Sequence, residues 1–209
     1  MTSVLLLSLG LGAVPAFLAG HAPGGRPLTL GYVPDAARAD PAAPWALAER
    51  QRVAGLGHAV VDVRLTGAGA GEVAAALDGV DALYVAGGNT FALLDALRAG
   101  GADAVVTERV RAGLPYIGCS AGSVVAGPST EPATLMDDPA EAPGLTDRRG
   151  LGLTDAVVVP HADGRLAPYP LELIGRTLDR YGPDHELVPL CDDEALLVTG
   201  PGWTVVASA

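Results

Sequence analysis

The sequence predicts an α/β fold, a doubly wound and mostly parallel sheet sandwiched by helices. Three observations carry that expectation. Short apolar runs alternate with stretches of helical periodicity about every twenty to thirty residues. The segment Gly118-Cys-Ser-Ala-Gly122 lies between an apolar run and a helix of small residues, the strand–turn–helix setting of a nucleophile elbow. The chain has 209 residues, 49% apolar and 18% charged, enough for one full α/β core. No internal repeat and no linker divides it, so residues 1–209 are expected to form one domain.

The first strand is expected in the Leu-rich run that begins at Val4, followed by a loop and a first helix. This N-terminal stretch could be mistaken for a signal peptide. It has no basic leading region, however, and Gly10, Gly12 and Pro15 interrupt it. Pro27–Val33 reads as the second strand, 34–44 as a loop and Trp45–Leu56 as a helix closed by Gly57. Ala59–Leu65 is a third strand, Glu72–Leu77 a short helix and Asp81–Ala86 a buried strand. Helical periodicity returns over Phe91–Arg98 and Val105–Arg111. Leu114–Ile117 is the strand entering the elbow, and Ser123–Ala126 falls in the helix leaving it. Thr130–Arg149 is rich in Pro and acids without periodicity, which predicts a loop beside the site. Apolar runs at Ala156–Val159, Leu187–Leu190 and Ala195–Val198 complete the strands.

Composition removes several functions. The net charge of −11 argues against a nucleic-acid surface and against anionic membranes. No segment is long and apolar enough to span a bilayer. There is no lysine, which excludes a Schiff-base lysine, a Ser–Lys dyad and a P-loop. Cys119 and Cys191 form no CxxC pair, and His21, His58, His161 and His185 show no metal-ligand spacing. Neither a metal nor a cofactor is expected, and reduced cytoplasmic thiols are.

Parallel α/β sheets place ligands at the carboxyl ends of their strands. Gly87-Gly-Asn-Thr90, the elbow and Pro160-His161 all map to that edge. At the elbow, glycines two positions to either side of Ser120 remove Cβ atoms that would clash, so the hydroxyl projects above the sheet. The amide of Ala121, at a helix N-terminus, is a natural oxyanion donor. His161 directly follows a strand and is the candidate base; the other histidines sit in loops and connections. For the acid that orients the base, Glu194 opens a strand, whereas Asp137 and Asp138 lie in the acidic loop. Asp163 points away if the chain stays extended. A second oxyanion amide would come from the Gly87-Gly88 turn. Asn89 and Thr90 would cap the helix that follows, and they are also candidates for contacting substrate.

Four segments make the reading more specific. Tyr84–Leu94, Tyr116–Gly122, Pro160-His161 and Asp193-Glu194 together resemble the peptidase E (aspartyl dipeptidase) family of serine peptidases, to which cyanophycinases are related. Order and spacing match over nearly the whole chain. The resemblance implies a class I glutamine amidotransferase-like fold, with Ser120 as nucleophile, His161 as base, and the Gly88 and Ala121 amides as oxyanion donors. The family's glutamate matches Glu194, and a family aspartate in an Asn-Asp-x-Pro segment aligns with Asp137. Glu194 is the preferred acid and Asp137 its competitor. Two departures stand out: Cys119 replaces a frequent Trp, and the segment after His161 is short, with only Arg165 and Arg176 as basic residues. Strict selection of an N-terminal Asp therefore does not follow.

The expected activity is hydrolysis of short peptides through an acyl-enzyme, with a homodimer as a family-level expectation. An amidotransferase-like hydrolase, an esterase and an inactive small-molecule binding domain are the competing readings.

Overall fold

The computed structural model describes residues 2–200 and 202–209. Its central sheet is built from β1 (Ser3–Leu7), β2 (Thr29–Val33), β3 (Ala59–Asp62), β4 (Ala82–Val85), β5 (Tyr116–Cys119), β8 (Glu194–Thr199) and β9 (Gly202–Ala207). They lie in the order β3-β2-β4-β5-β1-β8-β9. The first five are mutually parallel, and β8 and β9 close one side antiparallel. A separate two-stranded parallel sheet pairs β6 (Val157–Val159) with β7 (Leu187–Pro189). The expectation of a mostly parallel sheet flanked by helices is therefore met. The architecture is consistent with a class I glutamine amidotransferase-like fold.

The helices are α1 (Val14–Ala19), α2 (Pro44–Ala54), α3 (Ala70–Asp78), α4 (Thr90–Ala99), α5 (Ala102–Arg111), α6 (Ala121–Ala126) and α7 (Leu171–Tyr181). The central strands are apolar throughout because both faces are covered. Successive side chains alternate between two cores. Val4 and Leu6 of β1 join Leu83, Leu93, Val106 and Val125 on the face covered by α3 to α6. Leu5 and Leu7 join Phe17, Leu18, Val53 and Tyr84 on the face covered by α1 and α2. Each such leucine contributes about 1.5–3 kcal/mol by leaving water, so the Leu run of β1 holds the sheet centre.

Several boundaries differ from the expectation. β5 begins at Tyr116 and extends to Cys119, which pairs with Leu7. The left-handed Gly113 keeps Leu114 outside the strand. The third strand stops at Asp62; beyond it the Leu65 and Thr66 N–H groups donate to the Asp35 carboxylate rather than to a neighbouring strand. β9 had no expected counterpart; its face carries Trp203 and Val205 partly exposed, so it lacks the buried run that marks the other strands. The stretch 130–149 is organised by two short 3-10 turns and a bridge between Ser129 and Arg149. Ala133, Ala142 and Leu145 anchor it in the core.

Candidate active site

The site lies where β4 and β5 end, roofed by the loop after β6 and the turn entering β8. Ser120 links β5 to α6 with φ 47° and ψ −108°, a conformation that a side-chain-bearing residue adopts only under constraint. The constraint is visible. Ser120 N–H donates to the Leu7 carbonyl at 3.0 Å. Ser123 Oγ lies within hydrogen-bond distance of two carbonyl oxygens, Leu7 O at 2.7 Å and Gly118 O at 2.9 Å, to which its one hydroxyl proton can be donated. Tyr116 OH donates to Gly122 O at 2.7 Å. A Cβ at Gly118 would run into the Gly122 carbonyl, and one at Gly122 into the Val85 carbonyl. Both glycines are thus demanded by close backbone approach.

His161 Nε2 lies 3.0 Å from Ser120 Oγ, and its Nδ1 lies 2.6 Å from Asp192 Oδ1. A carboxylate only accepts, so Nδ1 carries a proton toward Asp192 and Nε2 is left to accept from the serine. His161 is buried and takes a left-handed backbone, φ 60°. Its N–H donates to Ser8 Oγ at 2.7 Å, and the same hydroxyl lies 3.2 Å from Asp192 Oδ1. Tyr169 stacks on the imidazole with centroids 4.9 Å apart and planes 7° from parallel.

The carboxylate in contact with His161 is Asp192, whereas the two expected acids, Glu194 and Asp137, bond elsewhere. Glu194 is the first residue of β8, but its Oε2 turns back to accept the Cys191 N–H at 2.8 Å, closing the turn that aims Asp192 at the imidazole. Asp137 accepts from Thr90 N–H at 2.9 Å and from Tyr169 OH at 3.2 Å. It ties the acidic loop to the start of α4 and to the ring stacked on His161, and burial pushes its carboxyl above the usual range.

The amides of Gly88 and of Ala121, the residue after the serine, have no hydrogen-bond partner among the described residues, and Gly87, the neighbour of Gly88, lies against Ser120. Gly88 has φ 135°, and a Cβ there would strike the Ala36 carbonyl. Asn89 and Thr90 are engaged within the protein. Asn89 Oδ1 caps α4 through Phe91 and Ala92 N–H, both at 2.9 Å, while its Nδ2 donates to Asp138 O at 2.9 Å. Thr90 is 1% exposed. Asn89 is the N-cap of α4, and Thr90, the first residue of the helix, donates its N–H to Asp137 Oδ2.

Cys119 is buried on the opposite strand face, with Sγ 3.8 Å from Ser8 O, and burial pushes its thiol well up. It presents no thiolate to the elbow. Among the described residues, no cluster of His, Cys, Asp or Glu could hold a metal ion.

Sequence reasoning missed Asp192, Ser8 and Tyr169. Asp192 sits in the same Asp-Asp-Glu run as Glu194, and only the turn decides which carboxylate faces inward. Ser8 had a usable signal, a polar residue at the carboxyl end of an apolar central strand. Tyr169 had none.

The fold and this Ser-His-Asp chain define an α/β protein of the serine-hydrolase type. The profile of peptidase family S51 matches residues 18–206, and the chain belongs to that family. It is a serine-type peptidase, and the resemblance to peptidase E is borne out. An uncharacterized peptidase of Listeria monocytogenes is 30% identical over 172 residues, covering 82% of each chain. A peptidase E of Streptomyces coelicolor is 40% identical over 136 residues, 63% of this chain and 54% of its own. The crystal structure of a Listeria monocytogenes protein provisionally assigned to peptidase E covers 100% of both chains, with TM-score 0.84 and 25% identity. Membership implies peptide substrates. No helix among the described residues is long and apolar enough to cross a membrane.

Proposed function

We propose that this protein is an exopeptidase that hydrolyses short peptides through an acyl-enzyme on Ser120. The observation that carries the reading is the continuous path from Ser120 Oγ through His161 to Asp192, supported by the Gly88 and Ala121 amides, which have no partner among the described residues. As Ser120 Oγ attacks the scissile carbonyl, its proton passes to His161 Nε2, and Asp192 stabilises the imidazolium. The Gly88 and Ala121 amides receive the oxyanion. Collapse transfers the proton from Nε2 to the leaving amine and leaves the acyl-serine. Water then attacks that ester, giving its proton to Nε2, and release of the carboxylate returns the proton to Ser120.

Short peptides are favoured over a strict N-terminal Asp. Arg165 is exposed and paired with Asp163 at 3.6 Å, and Arg176 is exposed on α7, so neither offers a buried guanidinium fork to a substrate carboxylate. The whole chain is inferred to act as one unit in a reducing compartment such as the cytoplasm, in keeping with its two free cysteines.

The experiment is labelling with a fluorophosphonate, followed by a panel of Asp-X, Ala-X and N-terminally blocked peptides. Label that disappears in Ser120→Ala, with cleavage of free dipeptides but not blocked ones, is the expected result. Unlabelled native protein would leave a binding domain in its place.

A further inference from the structure

We propose that Glu49 is a positioning residue that holds the oxyanion loop in register with Ser120. This rests on the reading of Ser120 as nucleophile. Glu49 lies on α2 and is 5% exposed. Its Oε1 accepts Tyr84 OH at 2.9 Å, and both carboxyl oxygens lie 3.2 Å from Gly87 N. Tyr84 is in β4, and Gly87 begins the loop that leaves it. On the other side of Gly88, Asn89 N–H donates to Ala36 O at 2.8 Å.

The peptide groups before and after Gly88 are therefore each clamped by an acceptor from outside the loop. Between the clamps, the Gly88 amide is the one left without a partner among the described residues. The contact with the elbow is close: a Cβ built on Gly87 would lie 3.4 Å from Ser120 Cβ and 3.5 Å from Glu49 Oε2. Gly87 therefore lies beside both Glu49 and Ser120 at ordinary packing distance.

The chemistry of the choice also points to the loop. No guanidinium forms an ion pair with Glu49 among the described residues, and burying an unpaired carboxylate is costly. Burial pushes its carboxyl up, toward the neutral form. In either protonation state the carboxyl keeps an oxygen that accepts from the Gly87 amide and the Tyr84 hydroxyl. Glutamine shares that property and leucine lacks it.

The test compares Glu49→Leu, Glu49→Gln and Tyr84→Phe with wild type. The readouts are kcat and KM on a dipeptide the wild type cleaves, the rate of Ser120 phosphonylation by a fluorophosphonate, and Tm. A small displacement of a transition-state group costs on the order of 10²-fold in rate. Glu49→Leu should slow both kcat and phosphonylation by about that factor, with KM within about threefold. Glu49→Gln should remain within about threefold of wild type on every rate, and Tyr84→Phe should fall between them. A folded Glu49→Leu protein with wild-type kcat and phosphonylation overturns the inference. So does a Gln variant as slow as the Leu variant, or a loss that appears in KM alone. Should Glu49→Leu fail to fold, Tyr84→Phe decides, since it removes only the brace on the carboxyl; a wild-type phosphonylation rate there counts against Glu49. Failure of the nucleophile assignment looks different: the wild type itself takes no label at Ser120, and both ideas go together.

Discussion

Ser8 and His161 are 153 positions apart in the chain, yet the backbone N–H of His161 donates to the Ser8 hydroxyl at 2.7 Å. The hydroxyl also reaches Asp192 Oδ1 at 3.2 Å. One side chain just past the end of β1 therefore supports the backbone of the imidazole and the carboxylate behind it. Removing it leaves a buried N–H without an acceptor, which costs about 1–3 kcal/mol. Ser8→Ala is expected to lower the denaturation midpoint and to reduce kcat by about tenfold or more through loss of imidazole alignment. Chemical denaturation and steady-state kinetics measure the two effects; an intact kcat would mean that Asp192 alone orients the ring.

Asp192 and Glu194 separate cleanly by mutation. Asp192→Asn should reduce kcat by about 10³–10⁴-fold, because an amide can stabilise the wrong tautomer and offers no charge to the imidazolium. Glu194→Gln keeps an acceptor for the Cys191 N–H and should stay within about threefold of wild type. The reverse order of severity would reinstate Glu194 as the orienting acid.

Tyr169 contributes its ring to His161 and its hydroxyl to Asp137. Stacked aromatic pairs are worth about 0.5–1.5 kcal/mol. Tyr169→Ala should lower kcat by about tenfold. Tyr169→Phe, which keeps the ring, should recover most of the loss. Equal kinetics for the two variants would show that the stack does not hold the base.

Asp137 predicts a pH dependence of stability. Burial, opposed by bonds from Thr90 and Tyr169, raises its carboxyl above the ordinary value of 3.8. Between 3.8 and that raised value the folded chain binds more protons than the unfolded one, so stability falls as pH rises through this window. Asp137→Asn abolishes the titration. Its Tm relative to wild type should therefore be more favourable at about pH 8 than at about pH 4. A pH-independent difference in thermal melts would contradict the sign.

The elements most legible in the sequence were those whose residues have one way to be buried. The Leu run of β1, the apolar β4 and the Gly-x-Ser-x-Gly elbow each carry their conformation locally, and Gly118 and Gly122 are required by contacts within a few positions or with the neighbouring strand. Where local signals were weak, expectation and structure diverged. β9 is exposed on its outer face, and the 3-10 turns of 131–141 have no periodicity to read.

By itself the sequence determined the α/β class, the place of Ser120 at a strand-to-helix turn and the strand end that carries His161, because these follow from apolar patterning and from steric demands between near neighbours. Only the tertiary structure decided which of several acids meets the imidazole. Asp192, Glu194 and Asp137 have the same chemistry and suitable positions along the chain. Their directions are set by hydrogen bonds to Ser8, Cys191 and Thr90, and those partners come together only when distant strands close the sheet.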